Sequence, residues 1–389
     1  MEKTFFFLYS GLSFLLYLLA LPFLILFSVK AKYKEALPSR FFLWHNTPLR
    51  ADGIWFHACS LGEAKALKPL VDAFAKEQLR MSATTQTGFG VMKTYTKESR
   101  YLPFEPLLFW WLKPQKALIV MEAEFWYLLF VLAQKRGAKT LLINARMSDR
   151  SYPKYKQFRW FYSQLFKHID EVYAQTELDK QRLLSLGARD VSVTGNIKLA
   201  YLPCVTQHIQ KPSSLVVCGA STHEGEEELI LEAFVALKKV HQEAVLLLVP
   251  RHPERFNAVA KIIEDMIVQT GYTMQRYAAN TILSSDIVLV DVMGELVTMY
   301  ALSDMVILGG AFVPMGGHNA AEAAQFGCKI ISGKYNFNQK DIFEAIEGIE
   351  MVEAEDLVKT VLDFERLEHT KIKYKSTIIP ILESIQCVL

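Results

Sequence analysis

The chain lacks the signatures that most readily assign a chemistry, and each gap excludes a class. It has no GxGxxG fingerprint and no Walker A loop, which counts against dinucleotide-dependent oxidoreductases and P-loop nucleotidases. Its five cysteines (Cys59, Cys204, Cys218, Cys328, Cys387) contain no CxxC pair, so neither a disulfide framework nor a structural zinc site is expected. Reduced thiols and a mainly cytosolic chain follow. A surplus of one charge is also missing: 43 Lys and Arg face 41 Asp and Glu, a net charge of +2, which argues against a nucleic-acid partner. Only 14 Pro and 19 Gly accompany a 51% hydrophobic composition, excluding a disordered or fibrous chain. At 389 residues two domains are expected, each burying its own core.

What is present begins at the front. Residues 4–28 carry no charge and consist mostly of Leu, Phe and Ile. A helix of this length is long enough for a tilted crossing of a hydrocarbon core about 30 Å thick. No small-x-small cleavage site follows, so an uncleaved single-pass transmembrane anchor is expected. Lys30, Lys32, Lys34 and Arg40 follow the segment and only Lys3 precedes it, which places the remainder in the cytoplasm.

Beyond the anchor, short apolar runs alternate with amphipathic stretches. In the first half the runs are 53–58, 117–121, 140–144, 171–174 and 191–194. In the second they are 214–218, 244–249, 287–290, 305–308 and 329–332. The pattern predicts buried parallel strands under crossover helices, in two doubly wound α/β domains hinged near 199–212. The stretch 357–389 reads as helical, broken at Pro380.

Ligands of open parallel sheets bind beyond the carboxyl ends of the strands, so residues just after each run are the functional candidates. The segment Gly309–Glu322 has two glycine pairs flanking Pro314. A helix starting near Asn319 would aim its positive end at a phosphate, with Glu322 placed for a ribose diol. In Gly219–Glu228, Ser221 or Thr222 is suited to cap a helix with an acidic first turn. Arg251 follows a strand directly and suits a phosphate or a base, and Gly294–Glu295 form another strand-to-helix turn. In the first half, Glu63 sits at a turn after the first strand, either as a helix-start glutamate or as a general base. Glu122 and Glu124 follow a second strand, from which like charge could raise the pKa of such a base. His57 reads as a packed core histidine, and the nine histidines look scattered. The stretches 101–114 and 150–168 mix aromatic and basic residues, which suits either core packing or an anionic membrane surface.

Taken in order, His57–Glu63, Thr84–Gly88, Glu122–Trp126, Asn144–Ser148, Gly195–Lys198, Gly219–Glu227, Pro250–Phe256, Gly294–Glu295 and Gly309–Glu322 resemble the lipid A 3-deoxy-D-manno-octulosonic acid (Kdo) transferase family over nearly the whole chain. The sequence departs from the family at Ala123 and Tyr127, where threonine and proline are usual, and at Ala320–Ala321, where proline and leucine are. The resemblance implies an α/β GT-B glycosyltransferase: two Rossmann-like domains facing a cleft, behind an N-terminal transmembrane helix. Residues 4–28 would be the anchor, 40–202 the acceptor domain, 213–370 the CMP-sugar domain, and 371–389 a helix returning to the first domain. It further implies inverting, metal-independent transfer of Kdo from CMP-Kdo, with no cofactor, to a tetra-acylated lipid A precursor at the inner membrane. Glu63 would take the acceptor proton, with Glu122 or Glu124 tuning it or orienting the acceptor. Ser221, Thr222, Arg251, Gly294, Glu295 and Asn319 would surround CMP, with Glu322 on the ribose. Arg146 and Lys198 are weaker candidates for the anionic groups. The rival readings are a GT-B transferase for a uridine nucleotide sugar and an inactive sugar-nucleotide-binding assembly factor.

Overall fold

The computed structural model describes residues 2–30, 34–205, 209–277 and 283–389. Lys32 and part of the expected hinge (206–208) lie outside them. The first element is a single apolar helix, α1 (Glu2–Ser28), long and apolar enough to cross a membrane. A short helix, α2 (Ala36–Phe42), follows. The chain divides into two compact units, one running to Tyr201 and taking in Lys375–Leu389, the other spanning Leu202–Tyr374.

The first unit is built on seven parallel strands: β1 (Ile54–Ala58), β2 (Leu79–Ala83), β3 (Ser99–Tyr101), β4 (Ala117–Met121), β5 (Lys139–Ala145), β6 (Glu171–Ala174) and β7 (Val191–Val193). Their order is β3-β2-β1-β4-β5-β6-β7. Both faces are covered, so alternate residues of one strand enter different cores. Trp55, Leu118, Val120 and Leu142 join one cluster, and Ile54, Phe56, Ile119 and Leu141 join the other. The C-terminal helix Ile379–Gln386 closes the second face by burying Ile381 and Ile385 against these strands. Pro380 begins this helix rather than breaking one. It occupies the first turn, where the missing N–H has no partner to lose. The segment before it is not one long helix but includes Leu357–Leu362 and a small strand at 371–372.

The second unit repeats the plan with β8 (Val216–Thr222), β9 (Val245–Pro250), β10 (Met274–Arg276), β11 (Ile287–Leu289), β12 (Met305–Leu308) and β13 (Lys329–Ser332), completed by Ile349–Met351 in the order β10-β11-β9-β8-β12-β13 and then that strand. Its main core packs the helix Glu226–Lys238 through Ile230, Phe234 and Leu237 onto Val217, Leu246 and Ile307. The ten runs picked out by hydrophobicity all contain strands. Four strands of the two sheets escaped that criterion: β2, which carries Arg80 and Ser82, and the three-residue strands β3, β10 and Ile349–Met351.

Candidate active site

In each sheet the strand order reverses once, between β1 and β4 in the first and between β8 and β12 in the second. Loops diverge at such switch points and leave a crevice beyond the carboxyl ends. Most of the candidate residues lie on the loops at these two places.

In the first unit, Glu63 opens the helix α3 (Leu61–Ala66) that follows β1. Ser60 caps this helix: its hydroxyl accepts the Glu63 N–H at 3.3 Å and donates to Glu63 Oε1 at 2.7 Å, while the Cys59 N–H donates to Oε2 at 2.8 Å. This is a variant of the capping box, in which Glu63 accepts the N–H of Cys59 rather than that of the cap residue Ser60. Glu63 therefore has the helix-start role, yet a carboxylate offers about four lone-pair sites and two are taken, so capacity for a substrate hydroxyl remains. Across the switch point, Glu122 follows β4 directly in the left-handed region (φ 55°) and its Oε1 accepts from Asn144 Nδ2 at 3.3 Å. Asn144 in turn accepts the Ile197 N–H at 2.9 Å, tying the end of β5 to the turn that carries Lys198. Glu124 Oε2 accepts from the Trp126 indole at 2.7 Å and stands 4.0 Å from His57 Nε2. Burial raises the Glu124 carboxyl and the charge of Glu63 adds to the rise, so the like-charge pressure is felt at Glu124. His57 is a core histidine, its Nδ1 against Ser82 and its pKa pushed down to about 3 by burial and by Arg40.

Arg40 itself was read from sequence only as a membrane-flanking charge. Its Nε donates to the Leu102 carbonyl at 3.0 Å, and its cation acts on Cys59 and Glu124. It lies more than twenty residues before Glu63 in a different element, so no local pattern announces it. Arg146 follows β5.

In the second unit, Ser221 and Thr222 do not cap a helix. They are the last residues of β8, Ser221 in the left-handed region (φ 54°), and the helix Glu226–Lys238 is preceded by Gly225 with no side-chain cap. Thr222 donates instead to Glu227 Oε1 at 2.9 Å, and Arg255 pairs with the other oxygen of Glu227 at 3.1 Å. The buried Glu226 staples the glycine-rich loop: it accepts the N–H groups of Gly310 at 2.7 Å, Phe312 at 3.0 Å and His223 at 2.9 Å. A Cβ on Gly309 would collide with Glu226 and with the Ser221 carbonyl, which explains glycine there. No long helix starts at Asn319. The element there is one turn, Ala321–Ala324, whose first free N–H, that of Ala321, is taken by Asn319 Oδ1 at 3.1 Å. Asn319 also donates to Glu322 at 3.2 Å. Burial raises the Glu322 carboxyl, against which Asn319 and Arg251 act. Gly294 (φ 95°) and Glu295 precede the helix Leu296–Leu302, beyond β11 and thus further along the sheet.

The histidines are not all scattered. His223 and His318 bring their Nε2 atoms to 3.0 Å, with ring planes 6° apart and centroids 5.2 Å apart, and His252 meets His223 edge-on. The centroid spacing matches the bridge plus two ring radii, so the imidazoles lie end to end in one plane. One nitrogen must then donate and the other accept. Burial, with His223 and Arg251 beside it, lowers His318 to about 4, and burial lowers His223 too, so the pair is neutral at pH 7. Arg251 thus bears on His223, His318 and Glu322 together. A neutral, donor-bearing pair beside a cation suits a phosphate or carboxylate ligand.

Two doubly wound α/β units, each with its polar loops at the switch point of a parallel sheet, fit an α/β GT-B fold. Residues 35–201 match the sequence family described as 3-deoxy-D-manno-octulosonic-acid transferase (kdotransferase). The chain is 33% identical over 372 residues to the 3-deoxy-D-manno-octulosonic acid transferase of Haemophilus influenzae, covering 89% of this chain and 86% of that protein. It is 32% identical over 348 residues to the Bordetella pertussis transferase, covering 82% and 79%. A solved structure, the C-terminal CMP-Kdo binding domain of WaaA from Acinetobacter baumannii, is similar at 28% identity over 45% of this chain and 86% of that one, with a TM-score of 0.35. The chain belongs to the Kdo transferase family.

Proposed function

We propose that the protein moves Kdo from CMP-Kdo to the tetra-acylated lipid A precursor (lipid IVA) in inner-core lipopolysaccharide synthesis. The reaction runs at the cytoplasmic face of the inner membrane, with inversion and without a catalytic metal. The observation that carries this reading is the pairing of Glu63 with Glu124 at the first switch point, in a chain similar to named Kdo transferases over most of its length. Glu63 takes the proton of the acceptor hydroxyl as that oxygen attacks the anomeric carbon. The bond from that carbon to the phosphate oxygen breaks, and its electron pair leaves with CMP. Glu124 orients the acceptor beside Glu63. Ser221, Thr222, Arg251, Gly294, Glu295 and Asn319 hold CMP, and Glu322 meets its ribose. The buried Glu322 carboxyl, already held by Asn319, is a hydrogen-bond acceptor for a diol, whereas Arg251 supplies the charge for phosphate.

Choosing between cytidine and uridine donors requires only a melting curve. A ligand that binds the native state at about 100 times its Kd stabilises by about 2.7 kcal/mol. CMP is expected to raise the thermal midpoint and UDP to leave it unchanged. The reverse result favours the uridine nucleotide transferase.

A further inference from the structure

The apolar helix α1 does not stand free of the first unit. Partial burial recurs along one face, at Ser13, Tyr17, Ala20, Leu24 and Ser28, spaced by three or four residues, and the same face is packed at Phe6 and Tyr9. Tyr9 donates to the buried Glu105 and stacks edge-on against Tyr127 at 4.9 Å, where Tyr127 occupies the position of the family's proline. Phe5 meets Tyr127 at 5.0 Å and Trp160 at 6.1 Å, Phe6 meets Phe109 at 6.0 Å, and Tyr17 donates to the Phe41 carbonyl at 2.5 Å. The neighbouring face is open. Leu8, Leu12, Leu15, Leu19, Phe23 and Leu26 are all exposed, and the same spacing aligns them in a stripe along nearly the whole helix.

A helix that crosses a bilayer meets lipid on every side through the hydrocarbon core. Here residues 5–17 pack on the first unit, whose nearby surface carries Lys154, Lys156 and Arg159, all exposed. The part past Tyr17 is eleven residues, about 16 Å, roughly half of what a crossing needs. We propose that α1 is a monotopic membrane element: it lies in the plane of the bilayer surface, docked on the first unit by one face and buried in lipid by the other, so that both its ends stay on the side of the catalytic units. This refines the membrane attachment in the proposed function and rests on it.

Two further observations agree. Trp110 and Trp160, 66% and 62% exposed, flank the helix through Phe109 and Phe5, at the level where indole rings sit in a headgroup layer. The helix is apolar all round, unlike a free amphipathic surface helix, because its second face meets protein instead of water. The occupant of the open stripe is lipid because the segment that meets the start of the helix at Trp160 exposes Lys154, Lys156 and Arg159, which an anionic bilayer complements.

The test compares the sidedness of two thiols in membrane vesicles from cells making the full chain. Lys3→Cys in a C204S/C387S chain, and the native exposed Cys387 in a C204S chain, are each treated with a membrane-impermeant maleimide in right-side-out and in inside-out vesicles. Both are expected to label from the same face. Labelling from opposite faces establishes a crossing and overturns the proposal. Nitroxides at Leu8, Leu12, Leu15, Leu19 and Phe23 supply a second readout: one common shallow depth is expected. A depth that grades through the bilayer centre, water exposure throughout, or spin broadening by a second copy would each contradict it. Neither readout involves transfer, so failure of the enzymatic reading leaves a distinct signature.

Discussion

Glu63 has a cap role that the structure shows and a base role that is proposed. Its cap fixes the carboxylate just beyond β1 and leaves lone pairs for an acceptor hydroxyl. Glu63→Gln keeps an acceptor oxygen for the cap but removes the proposed base. Turnover is expected to fall by about 10²- to 10⁴-fold. The cap should lose no more than about 1 kcal/mol. Initial rates and a circular-dichroism melt separate the two, and CMP should still stabilise the variant. A second residue, Glu105, is buried beneath α1. Burial raises its carboxyl to about 7, although Tyr9 and the Leu128 N–H donate to it. A folded-state pKa above the unfolded value gives stability that is complete below about 4.5 and is lost as pH rises through about 7, up to about 3 kcal/mol in all. Between pH 5 and 8.5 the thermal midpoint of Glu105→Gln should therefore gain on that of the wild-type chain.

At the scale of elements, the C-terminal helix Ile379–Gln386 is a structural member of the first unit. Ile385→Ala leaves a cavity under β1 and β4 and should cost about 2–4 kcal/mol in unfolding by denaturant, while CMP stabilisation persists. The sequence made strands with continuous apolar runs legible, because burial on both faces demands them. It hid β2, whose Arg80 looks solvent-bound but donates to the carbonyls of Arg50, Ala51, Glu77 and Leu79. The strand-following rule found the loops at both switch points. It missed the conformation inside them: Thr222 looked like a cap and is a strand end, and Asn319 heads a single turn. Nothing local could pair His223 with His318, since 95 residues separate them and only the adjacency of β8 and β12 unites them. Arg40 escaped for the same reason.

For the whole molecule, the near-zero net charge conceals an uneven distribution. Apolar and basic surface gathers on the first unit around α1, Trp110 and Lys154–Trp160, whereas the second unit concentrates Arg251, Arg255 and three histidines at its switch point. Such a distribution is what the proposed transfer from a nucleotide sugar to a lipid would require of the two units. The most direct measurement is mass spectrometry of tetra-acylated lipid A precursor incubated with purified full-length protein and CMP-Kdo. A product heavier by at least one Kdo residue is expected, with stoichiometric release of CMP, and none with Glu63→Gln. An unchanged acceptor mass with folded wild-type protein, or a full yield from the Glu63→Gln chain, would contradict the proposed transfer.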